Sequence, residues 1–171
     1  MLLLYALLKS KHSEFAANLE SALGLVGASY KFLDGTYDIW CRDFMPIQVA
    51  PNEFVQFSLT KDYYLKKDRL KQTDPAPICE TLGIRPTPII YNGMPIYLDG
   101  GNVIHGYGSA VITEKVFRDN KDIPRNTLAG ILKDVLQVDK VIFIPVEPKD
   151  DTGHSDGMVR WVGARTVVAN D

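Results

Sequence analysis

The sequence predicts an α/β fold assembled from about three similar units, on three observations. Short apolar runs of strand length alternate with segments of helical spacing. Three polar clusters each lead into an apolar run: Trp40-Cys41-Arg42-Asp43, Leu98-Asp99-Gly100-Gly101-Asn102 and Thr152-Gly153-His154-Ser155-Asp156. They recur at similar intervals, 59 residues from Asp43 to Asn102 and 54 from Asn102 to Asp156. That period exceeds the usual solenoid repeat and suits radial, propeller-like repetition of strand, cluster, hairpin and helix. The approximate units are 1–57, 58–115 and 116–171.

The elements follow in chain order. Met1 to Leu8 is an apolar run of strand length, too short for a membrane span and without the basic leader or cleavage site of a signal peptide. Over residues 12–23, Phe15, Leu19 and Leu23 recur every four positions behind Ser13, a helix N-cap candidate, and Gly24 or Gly27 ends the helix. Ala28 to Leu33 reads as a strand. Residues 46–49 and 53–57 flank Ala50-Pro51-Asn52 as a hairpin.

Residues 61–72 interleave lysine with tyrosine and aspartate, and read as a solvated connection rather than a nucleic-acid surface. Ile78 to Leu82 suggests a short helix after a proline-rich break. Ile89-Ile90 and Ile96-Tyr97-Leu98 bracket Asn92-Gly93, a hairpin turn signal. Ala110 to Thr113 is a strand, residues 127–136 have helical spacing, and Val141 to Pro145 is a buried strand. Met158 to Val162 and Thr166 to Ala169 close the chain as a hairpin. A chain stopping inside such a strand-to-loop step would leave an edge to be covered, so a fragment of a larger α/β-propeller domain is expected.

Composition bounds the function. The chain has 171 residues with 19 basic and 21 acidic side chains, so no basic field favours nucleic acid. Two cysteines, Cys41 and Cys79, are too few for a disulfide scaffold and point to a reducing, cytoplasmic setting without membrane attachment. Exposed sheet edges would favour self-association into a homo-oligomer. Three histidines without HxxxH or CxxC spacing argue against a zinc site, and Gly106-Tyr107-Gly108 lacks the third glycine of a dinucleotide fingerprint. No metal and no cofactor are expected.

The clusters themselves carry chemistry. His154 and Asp156, two residues apart, share a face if the segment is extended, and a histidine beside a carboxylate can carry protons near neutral pH. Gly100 and Gly101 allow a ligand or another backbone to come close. Trp40 and Asp43 supply a ring and a carboxylate, the pair that best grips a guanidinium. In an extended segment Cys41 would lie on the same face as Asp43, whose charge would oppose its activation as a thiolate.

Together, W-x-R-D, D-G-G-N, the glycine-rich Gly106 to Glu114 turn and G-H-x-D resemble the agmatine deiminase and Porphyromonas-type peptidylarginine deiminase family, over Thr36 to Asp171. The resemblance implies a partial pentein fold, an α/β-propeller with about three ββαβ-type units of five. It implies that Asp43 and Asp156 grip the guanidinium, that His154 is the general acid/base and that Trp40 contacts the substrate. It places Asp99 beside His154 as a catalytic residue, where the family usually has a glutamate one methylene longer, and Asn102 among the substrate-binding residues as support for its loop. It also implies hydrolysis of agmatine or an arginine side chain to a ureido product and ammonia, through a cysteine-linked thiouronium. The family's nucleophilic cysteine lies in a glycine-rich His-Cys segment that this chain lacks. Two other readings remain: a guanidinium-binding module without turnover, and a carboxylate hydrolase of the glycosidase kind, which the scarcity of aromatic platforms near Asp99 and Asp156 disfavours.

Overall fold

A computed structural model describes residues 2–37, 39–59 and 72–170; most of the lysine- and tyrosine-rich 61–72 segment lies outside them. The chain opens with β1 (Leu2–Tyr5), a short helix α1 (Leu8–Lys11) and α2 (Ser13–Leu25), then returns as β2 (Tyr30–Leu33), parallel to β1. Ser13 is the first residue of α2 rather than its cap; His12 holds the cap position, without a side-chain hydrogen bond. The expected apolar stripe of α2 is only partly covered, since Phe15 is 61% exposed while Leu19 and Leu23 are half-buried.

The first cluster forms a one-turn helix, α3 (Cys41–Phe44), instead of an extended segment. Two helical positions differ by about 200°, so Cys41 and Asp43 leave α3 on different sides. The hairpin of β3 (Ile47–Ala50) and β4 (Glu53–Gln56) follows as expected. Helix α4 (Pro75–Leu82) starts three residues before Ile78, where the apolar pattern begins. Asp74 caps it by accepting the Ala76 N–H at 3.0 Å, and Pro75 occupies the first turn, where its missing N–H costs nothing.

Strand β5 (Thr87–Pro88) adds to β4 in parallel, and β6 (Ile90–Tyr91) pairs with β7 (Met94–Pro95) around Asn92-Gly93. Both turn residues have positive φ, 49° and 79°, as an Asn-Gly hairpin requires. A 3-10 turn (Gly100–Asn102) leads into β8 (Ile104–Gly106), which the sequence reading missed, and β9 (Ser109–Thr113). Then come α5 (Lys115–Asp119), also missed, α6 (Arg125–Val135) and β10 (Lys140–Ile144). β10 pairs with β9 in parallel and β8 with β9 antiparallel. The last pair, β11 (Val159–Gly163) and β12 (Thr166–Ala169), leaves every residue of β12 exposed.

The main core sits between β9, α5 and α6. Leu128, Leu132 and Leu136, at four-residue intervals, are fully buried with Ile96, Val103, Ala110, Ile112 and Val116. Each buried leucine contributes about 2 kcal/mol by burial. A smaller core joins Leu33, Phe44, Met45, Ile78 and Cys79. The described residues form five separate sheets of two or three strands, mixed α/β in class, and none closes into a ring. No helix among them is long and apolar enough to cross a membrane.

Candidate active site

The three clusters meet. Parallel strands β9 and β10 end side by side, and the polar segments after them lie at that shared C-terminal edge. From the first cluster, Arg42 reaches across to donate Nε–H to the Gly100 carbonyl at 2.9 Å and a terminal N–H to that of Val103. It thereby fastens α3 to the Gly100–Asn102 turn. Asp43 Oδ1 accepts the Gly101 N–H at 2.9 Å.

The third cluster is tied to the same turn. The Asp156 N–H donates to the Gly101 carbonyl at 3.0 Å, the Ser155 hydroxyl to that of Val111 at 3.2 Å and the Thr113 hydroxyl to that of Gly153 at 2.6 Å. Asp150 closes the approach by accepting N–H groups of Thr152, Gly153 and His154. These bonds hold its carboxyl below the usual range although burial alone would raise it. Asn102 is buried and accepts the Thr113 N–H at 2.9 Å.

Gly101 is the centre of the arrangement. A Cβ there would stand 2.4 Å from Asp43 Oδ1, 2.7 Å from His154 Nδ1 and 3.1 Å from Asp156 Oδ2. The groups singled out from two clusters thus converge on one point, and only glycine leaves room for them. Gly100 is equally constrained, because its Cβ would fall 2.0 Å from the Arg42 carbonyl oxygen. Residues 155–158 form a bend and turn rather than the extended segment on which the spacing argument rested, yet His154 and Asp156 both approach Gly101 while Ser155 bonds to β9.

His154 bridges two carboxylates. Its Nε2 lies 3.0 Å from Asp99 Oδ2 and its Nδ1 3.5 Å from Asp43 Oδ1. Asp99 is 1% exposed, and the shorter aspartate arm reaches the imidazole. Where Asp99 is a carboxylate it can only accept, which puts the proton on Nε2 and leaves Nδ1 facing Asp43. Burial lowers the affinity of His154 for a second proton, but the Asp99 hydrogen bond and the charges of Asp43, Asp99 and Asp156 outweigh it and leave the pKa raised. Burial pushes the Asp43 carboxyl up to about 6; the neighbouring Asp99 and Asp156 add to this, while His154 and the Gly101 N–H oppose it. Two titratable groups whose proton affinities are both raised therefore stand side by side.

A cleft of about 340 Å³ opens beside them, lined by His154 and Asp156 with Glu147, Asp150 and Thr152. Trp40, 59% exposed, lies in the turn that enters α3. Neither thiol lines that cleft. Cys41 lines a separate hollow with Leu3, Met45 and Ile47, and Cys79 is buried in the smaller core. Two residues that sequence reasoning missed complete the surroundings. Lys115, 1% exposed, sits 3.4 Å from Asp99 Oδ2 and 2.6 Å from Asp119. Asp150 was signalled only by the Asp-x-Thr-Gly pattern of a side-chain-to-backbone turn.

The family model of the Porphyromonas-type peptidyl-arginine deiminases matches residues 5–171. A protein of Photobacterium profundum named "Putative agmatine deiminase" is 34% identical over 91 residues, which are 50% of this chain and 24% of that protein. Among solved structures, a C. jejuni agmatine deiminase superposes with TM-score 0.60 at 17% identity, over 90% of this chain and 47% of its own. The agmatine deiminase of Enterococcus faecalis gives 0.57 at 21%, over 83% and 42%. At those identities the likeness is one of fold. The chain spans less than half the length of these relatives.

Proposed function

The chain belongs to the Porphyromonas-type peptidyl-arginine deiminase family, and on that premise we propose that it supplies the substrate-gripping and proton-handling part of a guanidine-deiminating hydrolase. The observation that carries this reading is the convergence of Asp43, His154 and Asp156 on the space beside Gly101. Asp43 and Asp156 hold the planar guanidinium, a fork of N–H donors that suits two carboxylates. Trp40 covers the approach. The overall architecture is three units of a five-unit pentein, approximately 1–57, 58–115 and 116–171.

In the reaction a thiolate attacks the guanidinium carbon and the C–N bond to one terminal nitrogen breaks. His154 gives a proton to that nitrogen, which leaves as ammonia. The same imidazole then takes a proton from water as the oxygen attacks the thiouronium carbon. Expulsion of the thiolate releases the ureido product, and agmatine and arginine side chains are the substrate class. These 171 residues place no thiol at the cleft, so the nucleophile comes from outside them. Asp99 orients His154 through its contact with Nε2.

The position of the two cysteines also favours a second reading, guanidinium binding without turnover. Calorimetry and ammonia release on the same preparation separate the two. The first reading predicts weak binding of agmatine but not of 1,4-diaminobutane, which lacks the guanidine carbon, and no ammonia from the chain alone. Tight agmatine binding without ammonia would favour the second reading. Ammonia released by a Cys41→Ser, Cys79→Ser double variant would overturn the thiol mechanism.

A further inference from the structure

We propose that Lys115 is a positioning residue for His154: its buried ammonium holds Asp99 as a carboxylate and thereby fixes the proton on the far nitrogen of the imidazole. The inference rests on reading His154 as the proton carrier, but its test needs no turnover.

Lysine at the head of a short helix ordinarily reaches solvent. Here it follows directly on the end of β9, and its side chain turns inward until it is 1% exposed. The stem passes under the third cluster, its Cδ 3.0 Å from where a Gly153 Cβ would stand. Gly153, at a φ of 66°, thus leaves room for it. A buried ammonium requires compensating charge. One helical turn along, Asp119 supplies one partner at 2.6 Å, and Asp99 supplies the other at 3.4 Å.

The consequence lies in one atom. Asp99 Oδ2 receives both Lys115 Nζ and His154 Nε2, at 3.4 Å and 3.0 Å. An equally buried aspartate without a cation would favour its neutral form and could donate to the imidazole instead. That would move the histidine proton to Nδ1, the nitrogen that faces Asp43. Lys115 opposes the switch while also competing with His154 for the negative charge of Asp99.

The groups around His154 set the direction of the expected effect. Asp43 faces it from α3, Asp99 from the segment before the 3-10 turn and Asp156 from its own loop. Lys115 and Asp119 act through Asp99, with Arg118 outside them 3.7 Å from Asp119. Glu147, Lys149 and Asp150 line the adjoining cleft. Removing the Lys115 cation makes the His154–Asp99 pair hold its shared proton more tightly, and removing the Asp119 anion makes it hold that proton less tightly.

NMR titration of the imidazole ring reads this in the 171-residue chain without substrate. Lys115→Met should raise the titration midpoint of His154 by about one pH unit, and nitrogen shifts should show the neutral ring losing its Nε2–H preference. Asp119→Asn should lower the midpoint. Loosened packing would not produce opposite shifts, so shifts of the same sign, or none in either variant, overturn the proposal. If Lys115→Met does not fold, Asp119→Asn decides alone: a lower midpoint supports the role, and an unchanged or higher one refutes it. Absence of guanidinium binding would refute the deiminase reading and leave this result standing.

Discussion

Gly101 has no side chain, and three functional groups occupy the space where one would be. Gly101→Ala must displace Asp43 or His154, and should cost about 1–3 kcal/mol in urea unfolding and abolish guanidinium binding. Gly100→Ala should cost more, because its clash is with the Arg42 backbone rather than with side chains. Equal stability of either variant and wild type would contradict the packing described here. Asp43 makes a prediction about pH. Its carboxyl titrates near 3.8 unfolded and about 6 folded, so the folded state holds the extra proton between those values. The stability that this proton linkage contributes is full below about pH 4 and lost as pH rises through 6. Asp43→Asn keeps an acceptor for the Gly101 N–H. It should match wild type at pH 4 and exceed it at pH 8 by roughly 2 kcal/mol, measured by denaturant unfolding at the two pH values.

At the scale of elements, the legible parts were those with a long period or a hairpin turn signal such as Asn92-Gly93. Helix α6 repeats leucine at positions 128, 132 and 136, and its buried stripe is the one the spacing promised. Its exposed Gly130 meets nothing within 4 Å, so Gly130→Ala should stabilise the chain by about 1 kcal/mol, read as a higher denaturant midpoint. Helices α3 and α5, of four and five residues, are too short to show periodicity, and tertiary hydrogen bonds hold them. Missing α3 led to the mistaken placement of Cys41 beside Asp43. The convergence of His154 and Asp156 comes from the turn over residues 155–158 and its bond to Gly101, not from the extended spacing assumed for them. The burial of Lys115 was not legible either, because a lysine enters a core only when the fold brings carboxylates to it.

At the scale of the molecule, clusters 59 and 54 residues apart in sequence are fastened to one another through backbone groups of a single turn. Their recurrence was visible in the chain, whereas the close approach that joins them depends on Gly100 and Gly101 lying against α3. The matched stretches cover less than half of each relative, and the proposed division of labour gives this chain the carboxylates and imidazole while the thiol comes from elsewhere. The claim that Asp43, His154 and Asp156 recognise a guanidinium is tested most directly by following the His154 ring resonances during titration with agmatine and, separately, with 1,4-diaminobutane. The account predicts a saturable shift with agmatine alone, lost in an Asp43→Asn, Asp156→Asn double variant. Equal shifts with both amines, or an agmatine response that survives in the double variant, would contradict it.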